Sequence, residues 1–274
     1  LYDYQKEAVR QMTNGCILCG GVGSGKSRTG LAYFYLQYGG KLDTKDYAWM
    51  RDPPDLYIIT TARKRDTLEW EGELTPFGLS AYPDNRLYSH TVTIDSWNNI
   101  GKYKEARDAF FIFDEQRVVG RGAWVKSFLK IARNNRWILL SATPGDTWQD
   151  YIPVFIANGF YRNRTEFNSQ HVMFARYSKY PKVERYLNTG RLIGMRRRIL
   201  VEMEYRKPTT SHHLDIFVPY DLSFYKNIGK TRWDPWKDEP IQNAAGLCYA
   251  WRKAVNADER RAGALLEILD KHPR

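Results

Sequence analysis

Short apolar, β-rich runs punctuate the first half of the chain at 16–19, 56–61, 91–94, 109–113 and 137–140. Between them, apolar residues recur at helical spacing around 26–37, 64–73 and 123–133. Strand and helix in alternation predict an α/β fold, a parallel sheet with helices on both faces. Such sheets place ligand sites at the carboxyl ends of their strands, where the polar motifs of this chain fall. After Pro144 the pattern changes. Residues 151–210 are rich in Tyr, Asn and Arg with short helical pieces; 212–218 reads as one strand, 233–240 as an exposed loop, and 241–270 as one or two amphipathic helices. Two parts are therefore expected: an α/β lobe over 1–150 and a basic, mainly helical extension over 151–274.

Charge separates these parts. The chain has 274 residues, 42 Lys+Arg against 31 Asp+Glu, and a net charge of +11. Residues 1–150 carry 20 basic and 18 acidic groups, whereas 151–274 carry 22 and 13, a surplus of nine. A basic half on a near-neutral half points to a polyanionic partner, nucleic acid ahead of an anionic membrane surface. No apolar run approaches the roughly 20 residues of a membrane span, which excludes an integral helical membrane protein. Three cysteines make no disulfide framework, so a soluble protein of a reducing intracellular compartment, cytoplasm or nucleus, is expected. Leu1 in place of Met predicts a portion of a longer chain.

The strongest chemical signal is Gly20-Gly21-Val22-Gly23-Ser24-Gly25-Lys26-Ser27, which matches the phosphate-loop pattern G-x-x-x-x-G-K-[ST] between a short strand and a helix. Its glycines let backbone N–H groups turn toward a β-phosphate, and the helix start presents its positive end to the anion. Lys26 would neutralise the β- and γ-phosphates and Ser27 would ligate Mg²⁺, with Arg28 beside them, so ATP and Mg²⁺ are the expected ligands. A second signal is the strand 109–113 ending in Asp114-Glu115. There Asp114 would serve Mg²⁺ through its water shell and Glu115 would polarise the attacking water. A third is Ser141-Ala142-Thr143-Pro144 at the end of another apolar strand, where the Ser141 and Thr143 hydroxyls would report the γ-phosphate by switching hydrogen-bond partners.

In order, Tyr4-Gln5, 20–27, 60–65, 93–97, 114–117 and 141–144 resemble the motifs of the first RecA-like lobe of superfamily-two helicases and translocases. That resemblance implies that Gln5 reads adenine through its amide. It also implies that Arg63, Lys64 and Arg65, with Thr93, Asp95 and Ser96, touch a nucleic-acid backbone. Three cations at a helix start, where the dipole disfavours them, fit phosphate binding. The segment 67–73 with Trp70 resembles the Trp-containing helix of Swi/Snf-type DNA translocases, and 191–198 resembles their arginine cluster, with Arg196, Arg197 and Arg198 as further backbone contacts. Segments 219–225, 247–253 and 265–269 are similar to the stretches leading toward a second lobe. The sequence departs from the family at Gln116 and Arg117 of the acidic box, and in having Ser-Ala-Thr where the Swi/Snf group more often has Thr-Gly-Thr. Motifs V and VI are absent, which implies a second RecA-like lobe in the same longer chain and weak ATP cleavage by these residues alone.

The leading reading is thus the ATP-binding lobe of an ATP-dependent DNA translocase or helicase, on duplex DNA in preference to single strands. Two others stand beside it: the ATPase of a DNA-packaging terminase, and a nucleotide-dependent DNA-binding module without motor activity. Cys16-x-x-Cys19 has no second pair, and its side chains fall on opposite strand faces, which reads as packing. His212-His213 alternates across its expected strand and reads as structural. Most aromatics read as core; Trp97, Trp148 and Trp251 are the candidates for stacking on bases.

Overall fold

The computed structural model describes residues 1–42, 48–81, 90–115, 118–177, 180–205 and 213–272. The chain forms two compact units, Leu1–Arg206 and Lys207–Arg274. In chain order the first holds α1 (Asp3–Gln11), β1 (Ile17–Cys19), α2 (Lys26–Gln37), β2 (Leu56–Thr60), α3 (Ala62–Asp66), α4 (Glu69–Leu74), β3 (Val92–Ser96), β4 (Phe110–Asp114), α5 (Ala123–Asn134) and β5 (Arg136–Ser141). It continues through α6 (Ile152–Ala157), α7 (Arg164–His171), the antiparallel pair β6 (Val172–Phe174) and β7 (Val183–Tyr186), α8 (Thr189–Ile199) and β8 (Leu200–Glu202).

Six of these strands make one sheet in the order β3-β2-β4-β5-β1-β8, and every neighbouring pair is parallel. The continuous apolar runs follow from burial on both faces, because alternate side chains serve opposite layers. Phe110 and Ile112 pack with Leu31, Phe34 and Trp70 on one face. Phe111 and Phe113 pack with Trp97, Phe128, Phe155 and Phe167 on the other. Parallel register brings all the strand ends to one edge: Cys19 lies beside Ser141 and Glu202, and Thr60 beside Ser96.

Four expectations change, the last in the second unit. The α/β unit extends past 150, because β8 pairs with β1 and returns the intervening helices to the sheet. The helix expected over 64–73 is two, α3 and α4, broken at Leu68, whose φ of 55° is left-handed and cannot continue a helix. The described part of 212–218 carries no strand, and its His213 is exposed; His212 lies outside the described residues.

The second unit comprises α9 (Leu222–Thr231), a small hairpin of β9 (Trp233–Asp234) and β10 (Glu239–Pro240), α10 (Ala244–Asn256) and α11 (Glu259–Lys271). Ile228, Leu247, Ala250 and Ala254 form its core. The segment 233–240 is thus a hairpin rather than an open loop, held by Asp234, which is 6% exposed and accepts from the N–H groups of Trp236 and Lys237. The helical reading of 241–270 resolves into two helices, separated at Asp258, whose carboxylate caps α11.

Candidate functional site

Loop 20–27 joins β1 to α2 at the carboxyl edge of the sheet. Gly25 caps α2 in the left-handed conformation (φ 76°), and Gly23 is left-handed too (φ 80°), so the loop curls where other residues would strain. The space around Gly21 and Gly23 is open, and Val22 is 77% exposed, whereas Ser24 is buried. Lys26 Nζ donates to the carbonyls of Gly20 (2.8 Å) and Gly21 (2.9 Å), lying along the inside of the curl. Burial lowers its pKa below the ordinary lysine value, against the opposing pull of Glu115 and Asp114. The first turn of α2, with half-buried Ser27, supplies N–H groups that the helix itself does not use.

Two neighbours brace the loop. Gln5 is 4% exposed; its Nε2 donates to Ser24 O (3.2 Å) and its Oε1 accepts from Tyr2 N–H (2.9 Å). Tyr4 donates to the same Ser24 carbonyl, and its ring lies 5.6 Å from that of Tyr205. The Gln5 amide is therefore spent on the loop and on the start of its own helix. On the other side Gly20 N–H donates to Ser141 O (3.2 Å), which ties the third motif to the loop through backbone. Ser141 itself is buried, its Oγ accepting from Thr143 N–H, while Thr143 is exposed.

The acid pair ends β4. Asp114 is 1% exposed, and its Oδ2 accepts from Thr60 Oγ1 (2.8 Å) and Lys64 Nζ (2.9 Å). Its Oδ1 is buried with no hydrogen-bond partner among the described residues. Glu115 is left-handed (φ 55°), a conformation costly for a non-glycine residue, which turns the second carboxylate away from the strand. Lys64 Nζ reaches Glu115 Oε1 as well, at 3.2 Å. Burial lowers the Lys64 pKa, but Asp114 and Glu115 outweigh it and hold it above the ordinary lysine value. Gln116 and Arg117 lie outside the described residues.

Several expected contacts are placed differently. Lys64 faces the acids rather than solvent, because α3 starts directly at the end of β2, next to β4. Arg65 pairs with Asp66 and with Asp95, and only Arg63 of the three is exposed without an ion pair among the described residues. Asp95 accepts from Ser96 N–H, Asn99, Tyr103 and Arg65, and its role is to lock the end of β3. Ser96 is 2% exposed, out of reach of a backbone phosphate, and Thr93 lies mid-strand opposite Tyr57. Arg28 is engaged by Glu73 of α4 at 2.6 Å rather than aimed at the loop. Trp97 is buried and donates to Asp114 O (2.8 Å); Trp148 lies under Arg196, and Trp251 stacks on Tyr225. Cys16 is fully buried, which pushes its thiol up to about 12, out of range of metal or redox chemistry at neutral pH.

Arg196, Arg197 and Arg198 occupy the last turn of α8, just ahead of β8. Three strands separate β8 from β2, a sheet distance of roughly 19 Å at the usual strand spacing, so the two arginine clusters are not one patch. Arg196 lies over Trp148 (5.5 Å) and Arg198 over Phe160 (5.1 Å). Sequence reading missed Thr60 and the inward turn of Lys64; a hydroxyl ending an otherwise apolar strand was the available sign of the first.

No family model matches the chain, and no curated protein matches its sequence. Among solved structures, it is similar to the SWI2/SNF2 ATPase core of Sulfolobus solfataricus in complex with dsDNA, at a TM-score of 0.53 and 15% identity over 74% of this chain and 44% of that one. At that identity the likeness is one of fold, a RecA-like parallel α/β lobe. The helicase domain of Pyrococcus furiosus Hef is also similar, with a TM-score of 0.40 and 22% identity over 57% of this chain and 35% of that one. The RecA-like lobe thus spans less than half the length of either structure. No helix among the described residues is long and apolar enough to cross a membrane.

Proposed function

We propose that this chain binds Mg²⁺-ATP on loop 20–27 and is the ATP-hydrolysing lobe of a motor that moves on or remodels duplex DNA. The observation that carries the proposal is the buried Oδ1 of Asp114, unpartnered among the described residues, at the strand end that Glu115 directly follows. An orphaned buried carboxylate oxygen calls for a cation or its water shell. Oxygen donors from Asp114 and Ser27 suit Mg²⁺, which prefers one or two protein oxygens beside phosphates and water. Bound there, Mg²⁺ would offset the negative charge that builds on the transferred phosphoryl group. The open curl around Gly21 and Gly23 admits phosphate oxygens to backbone N–H groups.

Each residue then has a separate task. Lys26 exchanges its two carbonyl partners for phosphate oxygens, a stronger, charge-assisted bond. Glu115 accepts a proton from, or orients, the attacking water. Gln5 and Tyr4 keep the loop in shape from behind. Ser141, bonded through its backbone to Gly20, passes movement of the loop to the strand end beside it. DNA binding is supported by the surplus of nine positive charges after residue 150 and by the exposed Arg63, Arg197 and Arg198. The dsDNA in the Sulfolobus complex is consistent with that choice. A second RecA-like lobe, contributed by a longer chain, would complete the catalytic charge, so turnover by these 274 residues alone is expected to be weak.

Titration calorimetry with ATP and Mg²⁺ tests the proposal. Lys26→Ala should lose nucleotide binding, and Glu115→Gln should retain it. Equal ATP affinity for wild type and Lys26→Ala would end the ATPase reading.

A further inference from the structure

Nothing in the proposed hydrolysis needs a lysine between Asp114 and Glu115, yet one stands there. Lys64 Nζ is 2.9 Å from Asp114 Oδ2 and 3.2 Å from Glu115 Oε1, so a single ammonium spans both carboxylates. Its carrier, α3, is five residues long and starts at the end of β2. The helix directs three successive cations three ways: Arg63 to solvent, Lys64 to the acids, and Arg65 to Asp95 on β3. The Lys64 side chain is a quarter exposed and shares its short helix with the exposed Arg63.

We infer that Lys64 is a built-in counter-ion that holds the Asp114–Glu115 pair until a phosphate of the nucleic-acid track, bound beside Arg63, draws it away. This rests on the reading of the acids as the Mg²⁺ and water site. A lysine head group is a compact charge on a flexible stem, and it trades one oxyanion for another without moving its helix. While it bridges the acids, it offsets one of the two negative charges that would attract a divalent cation and occupies Glu115 Oε1. Moved to a phosphate, it leaves Glu115 Oε1 free and Asp114 Oδ2 with Thr60 alone. By linkage, whatever factor DNA adds to Mg²⁺-nucleotide affinity is the factor nucleotide adds to DNA affinity. DNA contact by Lys64, as the family resemblance implies, and its inward ion pair are then two positions of one side chain.

The test is equilibrium binding of a fluorescent ATP analogue to the 274-residue chain across a Mg²⁺ titration, with and without a duplex oligonucleotide, for wild type, Lys64→Met and Lys64→Arg. In wild type, duplex DNA should lower the Mg²⁺ needed for half-saturation, by roughly 5- to 150-fold if coupling is of ordinary size. Lys64→Met should bind at the lower Mg²⁺ without DNA and ignore DNA, and Lys64→Arg should keep the response. In the nucleotide-bound state Lys64→Met should also show a DNA salt slope shallower by about 0.9, the value of one lost phosphate contact. A wild type whose Mg²⁺ requirement does not respond to DNA overturns the inference whether or not the Met variant folds. So does a Lys64→Met protein that keeps the response or needs more Mg²⁺. Absence of nucleotide binding in wild type would instead overturn the proposed function itself.

Discussion

Replacing Gly25 by Ala tests whether the loop is held from behind by Gln5. Gly25 is left-handed, and a Cβ built on it falls onto Gln5 Nε2, far inside contact distance. Ala in that conformation costs about 1–2 kcal/mol. The Cβ also expels the Gln5 amide, which gives up its bonds to Ser24 O and Tyr2 N, about 1 kcal/mol each. The smaller unfolded-state entropy of Ala returns about 0.5 kcal/mol, leaving a net loss of about 3 kcal/mol. Gln5→Ala alone forfeits the same two bonds, about 2 kcal/mol. Because both substitutions lose those bonds, the double variant should also lie about 3 kcal/mol down rather than about 5, a coupling of about 2 kcal/mol in a double-mutant cycle. Urea unfolding followed by tryptophan fluorescence gives the four stabilities, since Trp70, Trp97 and Trp137 are all buried in the first unit. Additive losses, or a neutral Gly25→Ala, would show that Gln5 does not support the loop.

Two further outcomes are expected. Burial raises the Asp95 pKa, but hydrogen bonds from Asn99, Tyr103, Ser96 N–H and Arg65 more than offset it, so the carboxyl titrates below its ordinary value. Its contribution to stability is therefore present above the unfolded carboxylate pKa, about 3.9, and is lost as pH falls through the lower folded value. Asp95→Asn should be destabilised by about 1–3 kcal/mol at neutral pH and unfold less steeply with acid in a pH series of thermal melts; an unchanged acid limb would exclude Asp95 as its source. Arg196, Arg197 and Arg198 to Ala should shallow the salt dependence of DNA affinity by about 0.9 per phosphate contact, read by fluorescence anisotropy. Arg196 should contribute least, because its guanidinium already lies on Trp148. An unchanged slope would place the DNA contacts elsewhere on the protein.

By itself the sequence determined those features whose physics is local. A glycine-rich turn followed by Lys26 and a helix needs only its own residues to curl and to face an anion, and the structure has that shape at 20–27. The central strands were legible because a strand buried on both faces must be a continuous apolar run, as 109–113 is. What tertiary structure decided is which side chains meet. Thr60 and Lys64 find Asp114 across 54 and 50 residues of chain, and Arg65 finds Asp95 across 30. In sequence, three adjacent cations look the same whether they face a phosphate or a carboxylate; the strand order, placing β2 between β3 and β4, turns two of them inward. The boundary near 150 failed for a related reason. The three residues Leu200–Glu202 are too short a run to reveal which sheet they join, and it is their pairing with β1 that draws the chain after 150 into the first unit. Periodicity reports which face of an element is buried, but only long-range pairing reports against what, and the candidate site is made of such pairings.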